Sequence, residues 1–430
     1  MHENHVSPLK RKAVSTVNID HKSIWALCIV GAPLLLLFGC AQPDGPVGSG
    51  VGGRPEGHFR SVVCPALADT SYIVARVGTG GSANLYVGAS HDVSSYAISK
   101  YYRPVKPYEI TVDSARMTLA WEGGIGDGAM PAIEGNLAVF SWSESTVPAD
   151  ADVPTGTRLD SRIDRTTAAG DTGSLSFTVP VAEVASWLAW IDSSSIDTNW
   201  VDSTRLDAAL SLVVKAPAAV DRLVRFKSRS ATGDSLRPKL LIYATIKDSA
   251  SDVAHDSLYS IVATSDMFIT TNTAAPLPNR LVLGGGAAVR SALKFDMTPV
   301  YAAKDTFEVV VNRAVLTLHR DRAAYTWAPW SKSVWPYRMT SNLWLTYPDS
   351  AAYSGFVLSP TAVDSSADTL QLVVTSPAAS WASADSLNFG LLLMATSEGL
   401  DIERIAFFDQ SAVDPALRPS LKVYYTELPK

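Results

Sequence analysis

"LRPKLLIY" spans Leu236–Tyr243 and "LRPSLKVY" spans Leu417–Tyr424, so one eight-residue phrase occurs twice, about 180 residues apart. Leu240 and Ile242 of the first copy answer to Leu421 and Val423 of the second. Side chains two apart on a strand share a face, so each phrase reads as a half-buried β-strand. Pro238 and Pro419 fall at the first position of that strand, where a missing amide hydrogen costs no ladder bond. The duplication decides the fold, because the rest of the chain repeats in the same order.

Working back from each copy, "LYVG" (Leu85–Gly88) pairs with "LVLG" (Leu281–Gly284), and "KYYRP" (Lys100–Pro104) with "KFDMTP" (Lys294–Pro299). "VDSARMTL" (Val112–Leu119) matches "VNRAVLTL" (Val311–Leu318) without a gap. "LSFTV…ASW" (Leu175 to Trp187) matches "LQLVV…ASW" (Leu370 to Trp381). Blocks that keep their order mark an internal repeat. Ala115, Met117, Leu119 and Trp121 alternate with polar or small residues, as do Leu175, Phe177 and Val179, which is the period of a strand. Val181, Val184, Trp187, Leu188 and Ile191 fall on one helical face, and Pro377 suits a helix start. The expected fold is all-β: two tandem antiparallel β-sandwich, jelly-roll-like domains, each with a short helical turn. The expected spans are residues 60–247 and 256–430, joined by a short polar link.

The N-terminus carries an address. Lys10, Arg11, Lys12 and Lys22 precede an apolar run from Ile24 to Gly39 that ends at Cys40. The run is short for a membrane span, and Pro33 interrupts it. "LFGC" (Leu37–Cys40) resembles the bacterial lipoprotein signal. That resemblance implies removal of residues 1–39, lipidation of Cys40 and, with Ala41 following, a lipid-anchored place at the outer membrane or cell surface. An ordinary secretory signal or short anchor helix is the alternative. Nine of the seventeen residues 41–57 are Gly or Pro, so residues 40–59 read as a lipidated tether with a root-mean-square span of roughly 20–25 Å.

Without residues 1–39 the chain holds 32 basic and 40 acidic residues, a formal charge of −8. There is no Lys/Arg cluster, which argues against a nucleic-acid partner. Cys64 is then the one thiol besides the lipidated Cys40, and it reads as a buried small hydrophobe.

The ordered blocks, with "L-R-P-x-L-x-V-Y" closing each, resemble the DNRLRE-domain family over nearly the whole mature chain, twice. That family is related to the archaeal disaggregatase modules and has been grouped with carbohydrate-binding modules. The resemblance implies a β-sandwich and a polysaccharide-binding or adhesive role without catalysis. The alternative is a structural envelope or assembly component with no glycan ligand.

No nucleophile motif or metal-binding His pair stands out, so no enzyme is expected. Gly123–Gly128 and Gly284–Gly286 read as turns. Asp150, Asp152 and Asp160 lie in a loop-like stretch and are calcium candidates, although Arg158, Arg162 and Arg165 interleave with the carboxylates. The strongest binding candidate is "YTWAPWSKSVWPYRMTSNLWLTY" (Tyr325–Tyr347), with Trp327, Trp330, Trp335 and Tyr337. Sugars pack their axial C–H groups on flat aromatic faces, with polar neighbours taking the hydroxyls. The other reading is that these tryptophans fill the core. Trp142 holds the corresponding place in the first repeat with fewer aromatics around it.

Overall fold

Both copies of the repeated phrase fold alike. A 3-10 turn (Asp234–Leu236; Pro415–Leu417) leads to an arginine in extended conformation, then the strand begins. Arg237 Nε donates to the Ala231 carbonyl at 3.0 Å, and Arg418 Nε to the Ala412 carbonyl at 2.9 Å. The repeated arginine therefore ties the strand entrance to the turn before it.

The computed structural model describes residues 57–430 apart from 75–76, 92, 103–108, 127–128, 141, 145–147, 149–152, 167–171, 190–208, 217–220, 248–252, 273–274, 287, 327–329, 347–351, 358, 365 and 397. The described chain opens with β1 (His58–Ile73), where the sequence alone still suggested tether at His58 and Phe59. Next come β2 (Asn84–Ser90), β3 (Val93–Tyr101), β4 (Glu109–Ile125), β5 (Glu134–Val139), β6 (Thr157–Thr166) and β7 (Thr172–Val179). After helix α1 (Val181–Ala189) follow β8 (Leu210–Lys215), β9 (Arg222–Lys227), β10 (Lys239–Lys247), β11 (Ala254–Val262) and β12 (Ser265–Asn272). The second series is β13 (Arg280–Gly284), β14 (Val289–Phe295), α2 (Thr298–Thr306), β15 (Phe307–His319), β16 (Ser333–Met339), β17 (Tyr353–Val357) and β18 (Thr361–Ala362). It ends with β19 (Thr369–Val373), α3 (Thr375–Ser383), β20 (Leu391–Ala395), β21 (Arg404–Phe408) and β22 (Ser420–Pro429).

The fold is all-β, in two eleven-stranded sheets, and the pairings between the named strands are antiparallel. In the first sheet β4 pairs with β10 and β7, and its far end pairs with β9. That last pairing closes the ring β4–β7–β6–β5–β8–β3–β2–β9. In the second sheet β1 is shared: its first half pairs with β22 and its second half with β14. Each body is therefore barrel-like rather than the plain sandwich expected. Met117, Phe177, Leu212 and Phe226 fill the first core; Phe295, Leu316, Trp381 and Phe407 fill the second. Helices α1 and α3 lid these cores with Trp187 and Trp381, as the "ASW" blocks suggested, though Val181 stays exposed. Helix α2 has no counterpart among the described residues of the first repeat, where 103–108 occupy that place.

The strand assignment holds a surprise. β1 lies within the expected first domain, yet it completes the second barrel. Its counterpart in the second repeat, β11–β12, completes the first barrel by pairing with β10 and β3. The two inserts are equivalent residue by residue. Cys64 faces Leu421 as Ile261 faces Leu240, and Ala68 faces Lys294 as Ser265 faces Lys100. Each also carries an aspartate at the same place. Asp69 accepts the Gln410 amide at 2.7 Å, and Asp266 accepts the Arg229 amide at 2.5 Å. Burial raises Asp69 to about 6 and Asp266 to about 7. The tandem is thus closed by its own first strand, and Gly57–Lys430 forms one compact unit. Between the barrels, Ile402 packs on Tyr86, Leu223 and Phe268.

Two details of the repeat follow from packing. Gly88 has φ 120° and a Cβ there would lie 2.3 Å from the Arg222 carbonyl oxygen, so only glycine fits this point of the β2–β9 pairing. Cys64 is fully buried, and desolvation pushes its thiol up to about 12, which leaves it an inert core residue.

Candidate functional site

Strand β16 divides the tryptophan-rich stretch between two environments. Val334 and Pro336 face the second core, while Trp335, Tyr337 and Met339 face out of the barrel. Pro336 sits where β18 has ended and β17 has not begun, so no ladder partner needs its missing amide hydrogen. The strands beside β16 extend its outer face. Thr70 of β1, Ala292 of β14, Leu392 of β20, Tyr337 of β16 and Val357 of β17 stand opposite one another in register. In the adjacent row Tyr72 faces Arg290 and Met394 faces Trp335.

The result is a part-exposed aromatic row on β16 and β17 beside a buried patch of Ala292, Leu392, Met339 and Trp344. The Trp335 and Tyr337 rings lie 6.0 Å apart at 39°, and Tyr337 and Tyr353 meet edge to face at 5.1 Å. Tyr353 is 39% exposed, and Trp335 and Tyr337 are half-buried. The Trp335 indole N–H has no hydrogen-bond partner among the described residues. Arg290 grips Glu398 from Nε and Nη2 at 3.1 and 2.8 Å at the end of the face nearest Tyr72. Burial raises Glu398 above the usual carboxylate range, and the Arg290 guanidinium works against that rise. Burial likewise raises the Tyr72 and Tyr337 hydroxyls, so both stay protonated as hydrogen-bond donors at neutral pH.

Of the candidate residues, Trp335 and Tyr337 are brought together on this face. Trp330 is not: it is 4% exposed in the second core, its indole donating to the Lys332 carbonyl at 2.6 Å. Trp344 is buried in a 3-10 turn (Leu343–Leu345), donates to the Phe389 carbonyl at 2.8 Å, and packs against the outer face beside Met339. Trp327, Asp150, Asp152 and Cys40 lie outside the described residues. Asp160 is exposed on β6, and no group of three or more His, Cys, Asp or Glu able to hold a metal occurs among the described residues. Tyr72, Arg290, Tyr353 and Glu398 were missed. The outward alternation of β14 and β1 was readable, but only strand pairing sets Tyr72 beside Arg290.

At the equivalent face of the first barrel a tryptophan again covers the strands, as Trp344 covers Ala292 and Leu392 in the second. Ile98, Val213 and Met267 take the positions of Ala292, Leu392 and Thr70, and all three are fully buried beneath Trp142 and Val153. Trp142 is fixed there by its indole bond to Ser211 at 3.0 Å and by Lys100, whose ammonium donates to its carbonyl at 2.8 Å.

Comparisons of the chain with protein families, with curated proteins and with solved structures find no match. No helix among the described residues is long and apolar enough to cross a membrane.

Proposed function

We propose that this chain is a non-catalytic surface lipoprotein whose second barrel binds a polysaccharide on the outer face of β16. The observation that carries the proposal is the part-exposed row of Trp335, Tyr337 and Tyr353 beside polar Arg290 and Glu398. Aromatic rings supply the stacking surface for sugar C–H groups, and the flanking polar groups supply orientation. The resemblance to the DNRLRE-domain family supports the same ligand class, and the "LFGC" signal supports anchoring through Cys40. Glu398, the carboxylate paired beside the face, is held by Arg290, whereas glycoside hydrolysis uses two carboxyl groups flanking the bond. Binding is therefore favoured over turnover. Lys332 is engaged by Asp401 at 2.7 Å and Arg322 by Asp368, so the nearby cations are spent on acidic partners. With a mature charge of −8, neutral glycans are the favoured class. The first barrel, where fully buried Met267 stands in place of half-buried Thr70, then serves as a structural support.

The test is retention of the full chain on insoluble cellulose, chitin, xylan and pectin, beside Trp335→Ala and Tyr337→Ala. Retention on a neutral polymer that falls roughly two- to tenfold in each variant supports the proposal, since an aromatic contact is worth about 0.5–1.5 kcal/mol. Retention that survives both substitutions moves the site elsewhere. No retention by any polymer favours the structural role.

A further inference from the structure

The strands β1–β22–β15–β19 and β11–β10–β4–β7 occupy equivalent places in the two repeats, and their outer faces differ in polarity. In the second barrel Val63, Lys422, Val315 and Val373 stand opposite one another across the four strands, and Phe59, Thr426 and Val310 form a second row. The matching rows of the first barrel are Ser260, Leu241, Arg116 and Thr178, and Asp256, Thr245 and Thr111. Phe59, Val63, Val310, Val315 and Val373 thus stand where the first repeat has Asp256, Ser260, Thr111, Arg116 and Thr178. Phe59, Val63, Val310 and Val373 are 64, 54, 43 and 53% exposed, so the core of the barrel does not account for them.

Cations sit among these side chains. The Phe59 and Tyr424 rings stack at 6.1 Å, and the Lys422 ammonium lies 5.1 Å from the Tyr424 ring. Arg313, opposite Tyr424, is exposed beside it. Of the nearby acids, Glu427 is buried and held by Arg60, and Glu308 stands one row beyond Val310 at the end of the sheet.

We propose that this face rests on an anionic lipid bilayer, with Phe59 and the valines at the acyl boundary and Lys422 and Arg313 at the headgroup phosphates. The place where the preceding chain ends favours a lipid surface. Residues 41–57 join Cys40 to β1 with a root-mean-square span of roughly 20–25 Å, and Phe59 is two residues further on. That proximity rests on the lipoprotein reading above. Charge favours the same occupant. Basic side chains suit anionic headgroups, whereas a second copy packed face to face would bury Lys422 and Arg313 against like charge.

Residues 57–430 hold every described strand in one compact unit, so the face can be tested without the anchor. This protein is sedimented with sucrose-loaded vesicles of equimolar phosphatidylglycerol and phosphatidylcholine, and of phosphatidylcholine alone. Beside it are Lys422→Gln and a triple variant, Val63→Ser with Val310→Thr and Val373→Thr. The triple variant takes the residues the first repeat carries at the same exposed positions, and its thermal melt is compared with the parent's to show that it folds. No acylated residue is present, so a failure of Cys40 anchoring leaves this result untouched and is read separately by Cys40→Ser fractionation. The expected result is binding to the anionic vesicles that weakens with salt, falls roughly fivefold in Lys422→Gln and falls at least about tenfold in the triple variant. Absence of binding by the parent, equal binding to both vesicles, or undiminished binding by the folded triple variant would overturn the proposal. A parent dimer in analytical ultracentrifugation that the triple variant loses would also overturn it, because the face would then belong to a second copy.

Discussion

Replacing Asp266 with Asn should stabilise the protein at neutral and alkaline pH and do little in acid. Asp266 is 1% exposed on β12, and its carboxylate accepts the Arg229 amide at 2.5 Å. Arg229 lies beside it, but that guanidinium is committed bidentately to Glu144 at 2.9 and 2.8 Å, and Glu144 and Tyr101 also stand close to Asp266. Desolvation dominates, and Asp266 rises from 3.8 to about 7. A carboxyl group whose folded value is raised favours the folded state only while protonated. Its stabilisation is complete below about pH 4, is lost as pH climbs through 7, and stays lost beyond. Three pH units of difference correspond to about 4 kcal/mol between the two limits. Asn keeps an oxygen for the Arg229 amide and has no proton to lose, so most of this cost should vanish. Urea unfolding followed by tryptophan emission would show Asp266→Asn more stable than the parent by about 2–4 kcal/mol at pH 8 and within about 1 kcal/mol at pH 4. An equal loss of stability at both pH values would refute the reasoning, because Asp266 would then be a carboxylate the fold needs ionised.

Three further outcomes follow from the same structure. Residues 77–272 contain every strand of the first barrel and should unfold cooperatively on their own, whereas 273–430 lack β1 and should not; circular dichroism during a thermal scan of each fragment decides this. Arg418→Ala removes the bond to the Ala412 carbonyl at the entrance of β22 and should cost about 1–2 kcal/mol in urea unfolding, with Arg237→Ala matching it in the first barrel. Cys40→Ser should move the protein from the membrane to the soluble fraction of a bacterial lysate, since each buried acyl methylene is worth about 0.8 kcal/mol.

Strand character was legible because alternation is local. Ala115, Met117 and Leu119 are buried as their spacing suggested, and so are Leu240 and Ile242. The partner of each strand was not legible. The run Cys64–Asp69 and the run Ile261–Asp266 meet equivalent slots in the same register, so no residue pattern says which barrel takes which. The aromatic stretch shows a similar limit. Trp335 and Tyr337 alternate with Val334 and Pro336, and period two alone assigns them to one face. Trp330 precedes the strand, so alternation says nothing of it; it enters the second core with its indole on the Lys332 carbonyl. Tyr72 and Arg290 are more than 200 residues apart in sequence and meet only because β1 enters the second barrel.

The part-exposed aromatic row of the second barrel as the one binding face is the central claim, and stoichiometry tests it most directly. The full chain would be titrated calorimetrically with a soluble hexasaccharide of whichever polysaccharide retains it. The account predicts one site per chain, with affinity falling roughly two- to tenfold in Trp335→Ala and in Tyr337→Ala. It predicts no change in Tyr243→Ala, whose ring lies on the outer face of the first barrel's β10. Two equivalent sites per chain, or full affinity in both β16 variants, would contradict it.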